Sequence, residues 1–241
     1  MSIDQKRARV FGVFFLLTFV TSILALWLYQ PVLDDPVGYI AGGGHDKRLY
    51  LGVLLELLLI IANLGTAVVI FPIVRRQSEE LALGYVMARM FECTFILLGL
   101  VSVLGILTLR QEVAGPNEGT VAYTLAALKD WTFLLGPGWV VGWGNGLILG
   151  YLMYRSELVP RTAAWLGLVG GPLIILSGTL VLFGVDHKGG SLQGIATIPE
   201  FLWELFLGIY CTFRGFRPSA PILQSGGGEG RVTTRPAVAP A

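Results

Sequence analysis

The sequence predicts an all-α membrane protein, a bundle of six transmembrane helices. Of its 241 residues, 54% are hydrophobic and 14% are charged, whereas about 25% of the residues in a typical soluble domain are charged. The mean hydropathy is +0.70, and the apolar residues form runs long enough to cross a bilayer. A net charge of +1 gives no reason to expect a nucleic-acid partner.

Each span is predicted from an apolar run that ends at charges or turn residues. The first run follows a basic segment and is too long for the hydrophobic part of a signal peptide. Before the fourth span, a loop at residues 110–122 and a short interfacial helix at 123–129 are predicted. The tail, 217–241, is rich in Gly, Pro and Ala and is predicted to be disordered. The six predicted spans cover residues 10–29, 49–74, 83–109, 131–154, 163–185 and 198–216, within one domain of residues 1–216.

The distribution of Lys and Arg predicts the orientation. With the N-terminus inside the cell, eleven of these residues lie in cytoplasmic segments and five on the opposite side. Short loops that carry the excess of Lys and Arg stay in the cytoplasm. We therefore expect both termini in the cytoplasm and a multi-pass protein of the cell membrane.

The fourth span combines closely spaced glycines with a proline. Glycines at four-residue spacing lie near one face of a helix, where a neighbouring backbone can approach closely. Pro137 removes a backbone donor one turn into the span, so a bend is expected there. The four glycines are Gly138, Gly142, Gly146 and Gly150.

Several carboxylates lie within or at the edge of the predicted spans. A charged side chain at the centre of a span costs about 2.5–3.5 kcal/mol on insertion scales, so each one needs a partner or a function. Glu56, Asp130, Glu200 and Glu204 all fall in the predicted outer half, which predicts a carboxylate-rich pocket there. Glu200 lies near the predicted membrane surface, where simple hydration would explain it.

We expect Glu56, Glu204 and Asp130 to be the catalytic candidates and to share this pocket. Glu→Gln at either glutamate is expected to preserve the fold, and one of the two substitutions to abolish function. Further candidates for lining the pocket or binding a ligand are Asn63, Trp131, Trp139, Trp143, Asn145, Glu200 and Trp203.

Arg89 and Glu92 lie nearer the predicted cytoplasmic side, three residues apart on the third span. They predict an inner ion pair. Its role is either structural, because pairing makes a charged span insertable, or functional. No metal or cofactor is expected, because the two histidines, His45 and His187, lie in separate loops without ligand spacing.

Four phrases of the sequence are specific in combination: LLELLLIIANLGTAVVIFP (54–72), DWTFLLGPG (130–138), GNGLILGYLMYRSELVPR (144–161) and PEFLWEL (199–205). On these phrases the chain resembles an uncharacterised bacterial family of multi-pass membrane proteins, domain of unknown function 4386. The resemblance implies a membrane protein but no activity. In similar sequences the residue before the Asp-Trp pair is often His, whereas here it is Lys129, which argues against a metal at this corner.

Three classes of function remain open. The first is an enzyme that performs acid–base chemistry on a lipid-soluble, isoprenoid-like substrate, with protonated carboxyls as acids and aromatic rings to stabilise a cation. The second is a proton- or cation-coupled transporter of a small molecule. The third is a structural or assembly protein without chemistry. Membrane lipid is an expected partner in each class, and the oligomeric state is left open.

Overall fold

A computed structural model describes residues 1–42, 44–112 and 117–224. Within these ranges the regular structure is helical without a strand, and six helices are long and apolar enough to span a membrane. The predicted fold class is therefore confirmed. The helices are α1 (Ile3–Asp34), α2 (Pro36–Ile40), α3 (Asp46–Val74), α4 (Glu79–Glu112), α5 (Glu118–Phe133), α6 (Gly150–Ser156), α7 (Arg161–Leu182), α8 (Ser191–Phe213) and α9 (Pro221–Gln224).

The fourth span is a composite helix that runs from Glu118 to Ser156. Between α5 and α6 it contains two π-helical stretches, Leu134–Val140 and Gly142–Leu149. The backbone amide of Val141, for example, donates to the carbonyl of Gly136, five residues earlier. Around Pro137, where the sequence predicts a bend, the helix is wound more widely than an α-helix. Long π-helical stretches are rare and often occur at functional sites.

The composite helix also corrects two predicted boundaries. Residues 123–129 do not form a separate interfacial helix, because α5 continues without a break into the span. Helix α4 continues to Glu112, so the predicted loop at 110–122 is shorter than expected, and residues 113–116 of it lie outside the described residues.

The six long helices pack in a ring. Helix α1 contacts α3 and α8, α3 contacts α4, α4 contacts the composite helix, and α7 packs between the composite helix and α8. We call the end of the ring where α1 begins the proximal end, and the end where α1 finishes the distal end. The even number of spans places the start of α1 and the end of α8 at the proximal end.

Two apolar cores lie within the ring, one towards each end. The proximal core includes Phe11, Ile70, Leu152 and Leu207 and joins all the long helices. The distal core, around Tyr29, joins α1, α2, α3, α4 and α5 only. Neither α7 nor α8 contributes to the distal core, so the ring is less tightly filled at that end.

Residues 217–224 correct the prediction of a tail that is disordered from residue 217. The backbone amide of Arg217 donates to the carbonyl of Leu158 at 2.9 Å. Ala220 and Ile222 are buried in the proximal core together with Phe216. Apolar side chains can cover the end of a bundle even where they lack helical periodicity. The Gly-, Pro- and Ala-rich composition of the whole tail gave no sign of these few buried residues. The remaining predicted tail, 225–241, lies outside the described residues.

Three of the four glycines in the fourth span face α7. A Cβ atom added to Gly142, Gly146 or Gly150 would meet the backbone of α7, at Gly171 for the first two and at Leu168 for the third. Gly138 faces no other helix, since an added Cβ would meet only Phe133 and Leu134 of its own helix at 3.5 Å or more. The change from α- to π-helical winding shifts the face on which residues four apart lie. The prediction that the four glycines share one face therefore holds for Gly142, Gly146 and Gly150 and not for Gly138.

Candidate functional site

A cavity of about 190 Å³ lies inside the ring, between the two apolar cores. It is lined by side chains of α1, α3, α4, the composite helix and α8. Six of its lining residues are charged or carry an amide: Glu56, Asn63, Arg89, Glu92, Lys129 and Glu204. We call this space the central cavity.

Lys129 and Glu56 form a buried ion pair on one wall of the central cavity. The Lys129 Nζ lies 2.5 Å from a carboxylate oxygen of Glu56, and the two residues are 4% and 7% exposed. The ammonium also lies 5.1 Å from the ring centroid of Tyr29, within cation–π range. The sequence-based topology placed Lys129 outside the spans, which is wrong because α5 carries it into the bundle. The helix predicted at residues 123–129, directly before the fourth span, was the signal in the sequence that could have placed Lys129 inside the bundle.

Arg89 and Glu92 form a second buried pair, 2.6 Å apart, on α4. The Asn63 amide donates to the other oxygen of Glu92 at 3.0 Å, and the Arg89 Nε donates to the Tyr85 hydroxyl at 3.2 Å. The pair is not a separate inner feature, because it lines the same cavity as Glu56 and Glu204. Arg89 lies ten residues into the 34-residue α4, about 15 Å along the helix axis, and is therefore nearer the proximal end of the helix.

Glu204 differs from the other carboxyls of the central cavity. The Asn145 side-chain amide donates to its Oε1, but no Lys, Arg or His of the described residues forms an ion pair with it. The lining contains three carboxyls and two cations, and both cations are paired with Glu56 or Glu92. Glu204 is thus the carboxyl in excess, and it is only partly buried because it faces the cavity.

Asp130 lies outside the central cavity. Its side chain is half-exposed, with an oxygen 3.7 Å from the Nζ of Lys188. It lines a second space of about 550 Å³ at the distal end, which we call the vestibule. The structure thus brings Glu56 and Glu204 to one cavity but places Asp130 in another, because Asp130 projects from α5 on a different side from Lys129.

The vestibule adjoins the central cavity. Leu26, Lys129, Phe133 and Pro137 line both spaces. Leu26 and Phe133 are also exposed, so the boundary between the two spaces is mainly apolar and partly exposed, with Lys129 as a charged residue on it. At the opposite side of the central cavity the proximal core is filled with buried side chains. The central cavity is therefore accessible from the distal end and closed at the proximal end.

The four candidate tryptophans line neither of these spaces. Trp131 lies under the Lys188 ammonium, Trp139 donates to the Thr179 hydroxyl, and Trp143 is exposed on the outer surface. Trp203 is buried and donates to the backbone carbonyl of Asn145 at 3.0 Å. The aromatic walls of the central cavity are instead Phe19, Phe133 and Phe201, which sequence reasoning did not single out.

Glu200 is buried rather than hydrated, contrary to the expectation from its position near the end of a span. It is 2% exposed and lies against Gly146 and Gly170. The two glycines lack side chains, which leaves space for its carboxyl between the composite helix and α7. Glu200 does not line the central cavity.

Comparison with known proteins identifies the family. The model of a domain of unknown function, DUF4386, matches residues 10–215. The chain belongs to the DUF4386 family. No curated protein and no solved structure matches the chain.

The position before the Asp-Trp pair has a structural role in this DUF4386 protein. Lys129 provides the cation that compensates Glu56 inside the bundle. Among the described residues, no group of three or more His, Cys, Asp or Glu is arranged to hold a metal. The central cavity thus contains two ion pairs, Lys129–Glu56 and Arg89–Glu92, and one further carboxyl, Glu204.

Proposed function

We propose that the central cavity binds a small lipid-soluble molecule, isoprenoid-like in character, and that Glu204 exchanges a proton with it. The protein would act as an intramembrane acid–base enzyme of the cell membrane. The observation that carries this proposal is a carboxyl that faces an open cavity without a cation to compensate it.

The protonated form of Glu204 follows from its surroundings. An ionised carboxylate in a low-dielectric site is unfavourable unless a nearby cation balances it. Glu56 and Glu92 have such cations at 2.5 and 2.6 Å, and we assign them a role in fixing the cavity walls. Glu204 has an amide donor only, so a proton would balance its charge and make it an acid.

The proposed chemistry is a net isomerisation. The Glu204 carboxyl gives its proton to a carbon–carbon double bond or an epoxide oxygen of the substrate, which becomes a carbocation. Phe19, Phe133 and Phe201 line the cavity, and aromatic rings of this kind would stabilise that cation. A new bond forms within the substrate, a proton leaves the adjacent carbon, and the Glu204 carboxylate takes it up. The enzyme returns to its starting state without a co-reactant.

The apolar rim supports a lipid-soluble substrate. Ile23, Leu26, Phe133 and Phe201 all line the central cavity and are between 40% and 54% exposed. A hydrocarbon chain could extend past these side chains while its reacting end reaches Glu204. A volume of about 190 Å³ accommodates the reacting end of such a molecule rather than a long chain.

Deuterium transfer tests this function even while the substrate is unidentified. Purified protein is incubated in D₂O with the total lipid extract of its host, and the products are analysed by mass spectrometry. We expect a lipid-soluble compound that gains deuterium at carbon, or a new isomer of an existing compound, with the wild type. Glu204→Gln should lose this activity by at least about 100-fold, the usual range for a general acid, because it keeps the amide contact but carries no transferable proton.

Glu157→Gln serves as the matched control, because Glu157 pairs with Arg161 on the protein surface. It should leave the activity unchanged. If a lipid-dependent activity is found and Glu204→Gln retains it fully, the assignment of Glu204 as the acid is wrong. If the wild type converts no compound in the extract, the enzymatic proposal fails.

Proton-coupled transport is the second candidate, favoured by the connection between the vestibule and the charged cluster at Lys129. A transporter would also have to open the proximal core, which is closed in this structure. Proteoliposomes with an internal pH indicator distinguish the two functions. Substrate-dependent proton flux without chemical conversion would favour transport, and conversion without flux would favour the enzyme.

A further inference from the structure

Glu200 is a buried carboxyl without a hydrogen-bond partner among the described residues. It lies on α8 one turn before Glu204 and is 2% exposed. Neither of its two carboxyl oxygens receives a hydrogen bond from the described residues. Buried polar atoms in proteins are almost always hydrogen-bonded, so a carboxylate with two unsatisfied oxygens requires an explanation.

Asn145 has a matching unsatisfied atom. Its side-chain nitrogen donates to Glu204, but its Oδ1 is buried and receives no hydrogen bond from the described residues. The Glu200 Oε2 lies against the composite helix at Gly146, the residue after Asn145, since a Cβ atom on Gly146 would lie 2.7 Å from it. Unsatisfied acceptor oxygens therefore occur on both helices where α8 packs against the composite helix.

Within the part of the chain that the structure describes, no cation forms an ion pair with Glu200. The composite helix and α7 contribute glycines to its immediate surroundings, Gly146 and Gly170. The charged groups that act on it are Glu204 of its own helix and Arg89 and Glu92 of α4, and the latter two are paired with each other. The region thus contains two carboxyls, Glu200 and Glu204, for which no cation remains.

We infer that Glu200 holds a proton in this conformation and forms a second proton site next to Glu204. Protonation removes an uncompensated charge from the interior, and a carboxylic acid has one hydrogen-bond donor that a carboxylate lacks. A proton also needs no cavity, and Glu200 lines neither the central cavity nor the vestibule.

This arrangement gives Glu200 a role as a proton reserve, which rests on the proposed function of Glu204. When Glu204 has given its proton away, the Glu200 hydroxyl, one turn earlier on α8, can give its own proton to the Glu204 carboxylate. Glu200 becomes the carboxylate, Glu204 becomes the acid again, and the number of protons is unchanged. The protonated state of Glu200 itself stands independently of any activity.

Infrared spectroscopy of the purified protein at neutral pH tests the protonated state without a substrate. A protonated glutamic acid gives a carboxylic C=O band that is distinct from carboxylate bands and shifts in D₂O. We expect the wild type to show this band, Glu200→Gln to lose a resolved component of it, and Glu204→Gln to lose a different component. Glu157→Gln, the surface control, should leave the band unchanged.

Three outcomes would overturn the inference. One is an unchanged band in folded Glu200→Gln, and another is a band whose intensity falls as Na⁺ is added, which would make a cation the ligand. If Glu200→Gln does not fold, Glu200→Asp keeps an acid at the same position and should show a carboxylic C=O band at a shifted frequency. The third contradicting outcome is a band at the wild-type frequency in Glu200→Asp. Because none of these spectra needs turnover, failure of the proposed activity and failure of this inference are distinguishable.

Discussion

Replacing Lys129 with methionine is expected to destabilise the folded protein by about 3–5 kcal/mol, the usual effect of removing one partner of a buried ion pair. Methionine preserves most of the packing of the lysine chain but leaves Glu56, which is 7% exposed, without its cation. The free energy of unfolding in a detergent titration measures the effect. Loss of binding in the central cavity should accompany it, since both side chains line that space.

The same pair revises the expectation for Glu56→Gln. The sequence alone predicts that this variant folds normally, but it leaves the Lys129 ammonium without a counter-charge and should lose a comparable amount of stability. The double variant Lys129→Met with Glu56→Gln contains neither charge and should recover most of the loss. Arg161→Met, which breaks the exposed pair with Glu157, should change the free energy of unfolding by about 1 kcal/mol or less. Wild-type stability of Lys129→Met would contradict the buried pair.

Replacing Gly146 with alanine is expected to destabilise the folded protein strongly although it adds only one methyl group. The added Cβ would overlap the backbone of Gly171 on α7 and lie 2.7 Å from the Glu200 Oε2. Overpacking against side chains costs about 1–3 kcal/mol, and a backbone contact relaxes less readily, so we expect the upper end of that range or loss of folded protein. The yield of monodisperse protein and its thermal unfolding measure the effect.

Gly138→Ala is the matched control in the same helix. Its added Cβ would meet only ordinary contacts within its own helix, and alanine in a helix interior is favoured over glycine by about 0.5–1 kcal/mol. We expect this variant to be neutral or slightly stabilising. Equal effects of the two substitutions would show that the close approach of the composite helix to α7 does not depend on Gly146.

The fold was predictable because a bilayer demands long apolar helices, and such runs are visible in a sequence. The helix ends were less predictable. Helix α4 continues to Glu112 and α5 begins at Glu118, since polar residues outside the hydrocarbon region remain helical when tertiary contacts stabilise them. This error placed Lys129 outside the bundle.

The candidate site was predictable in its residue types more than in its arrangement. An intramembrane carboxylate identifies itself by its unfavourable insertion energy, and Glu56 and Glu204 do line one cavity. The direction of a side chain depends on helix rotation and winding, which the π-helical stretches alter. For that reason the sequence could not show that phenylalanines would form the walls, or that Glu200 would pack onto glycines.

Chemical modification by a lipid-soluble carbodiimide tests the central claim most directly. Such a reagent adds to a protonated carboxyl that it can reach in an apolar site, and the adduct rearranges to a stable acylurea that peptide mass spectrometry locates. We predict modification of Glu204 in the folded protein, with Glu56 protected by its ion pair and Glu200 by its burial. An unmodified Glu204 in folded protein, under conditions that modify it after unfolding, would contradict a protonated carboxyl in an accessible cavity.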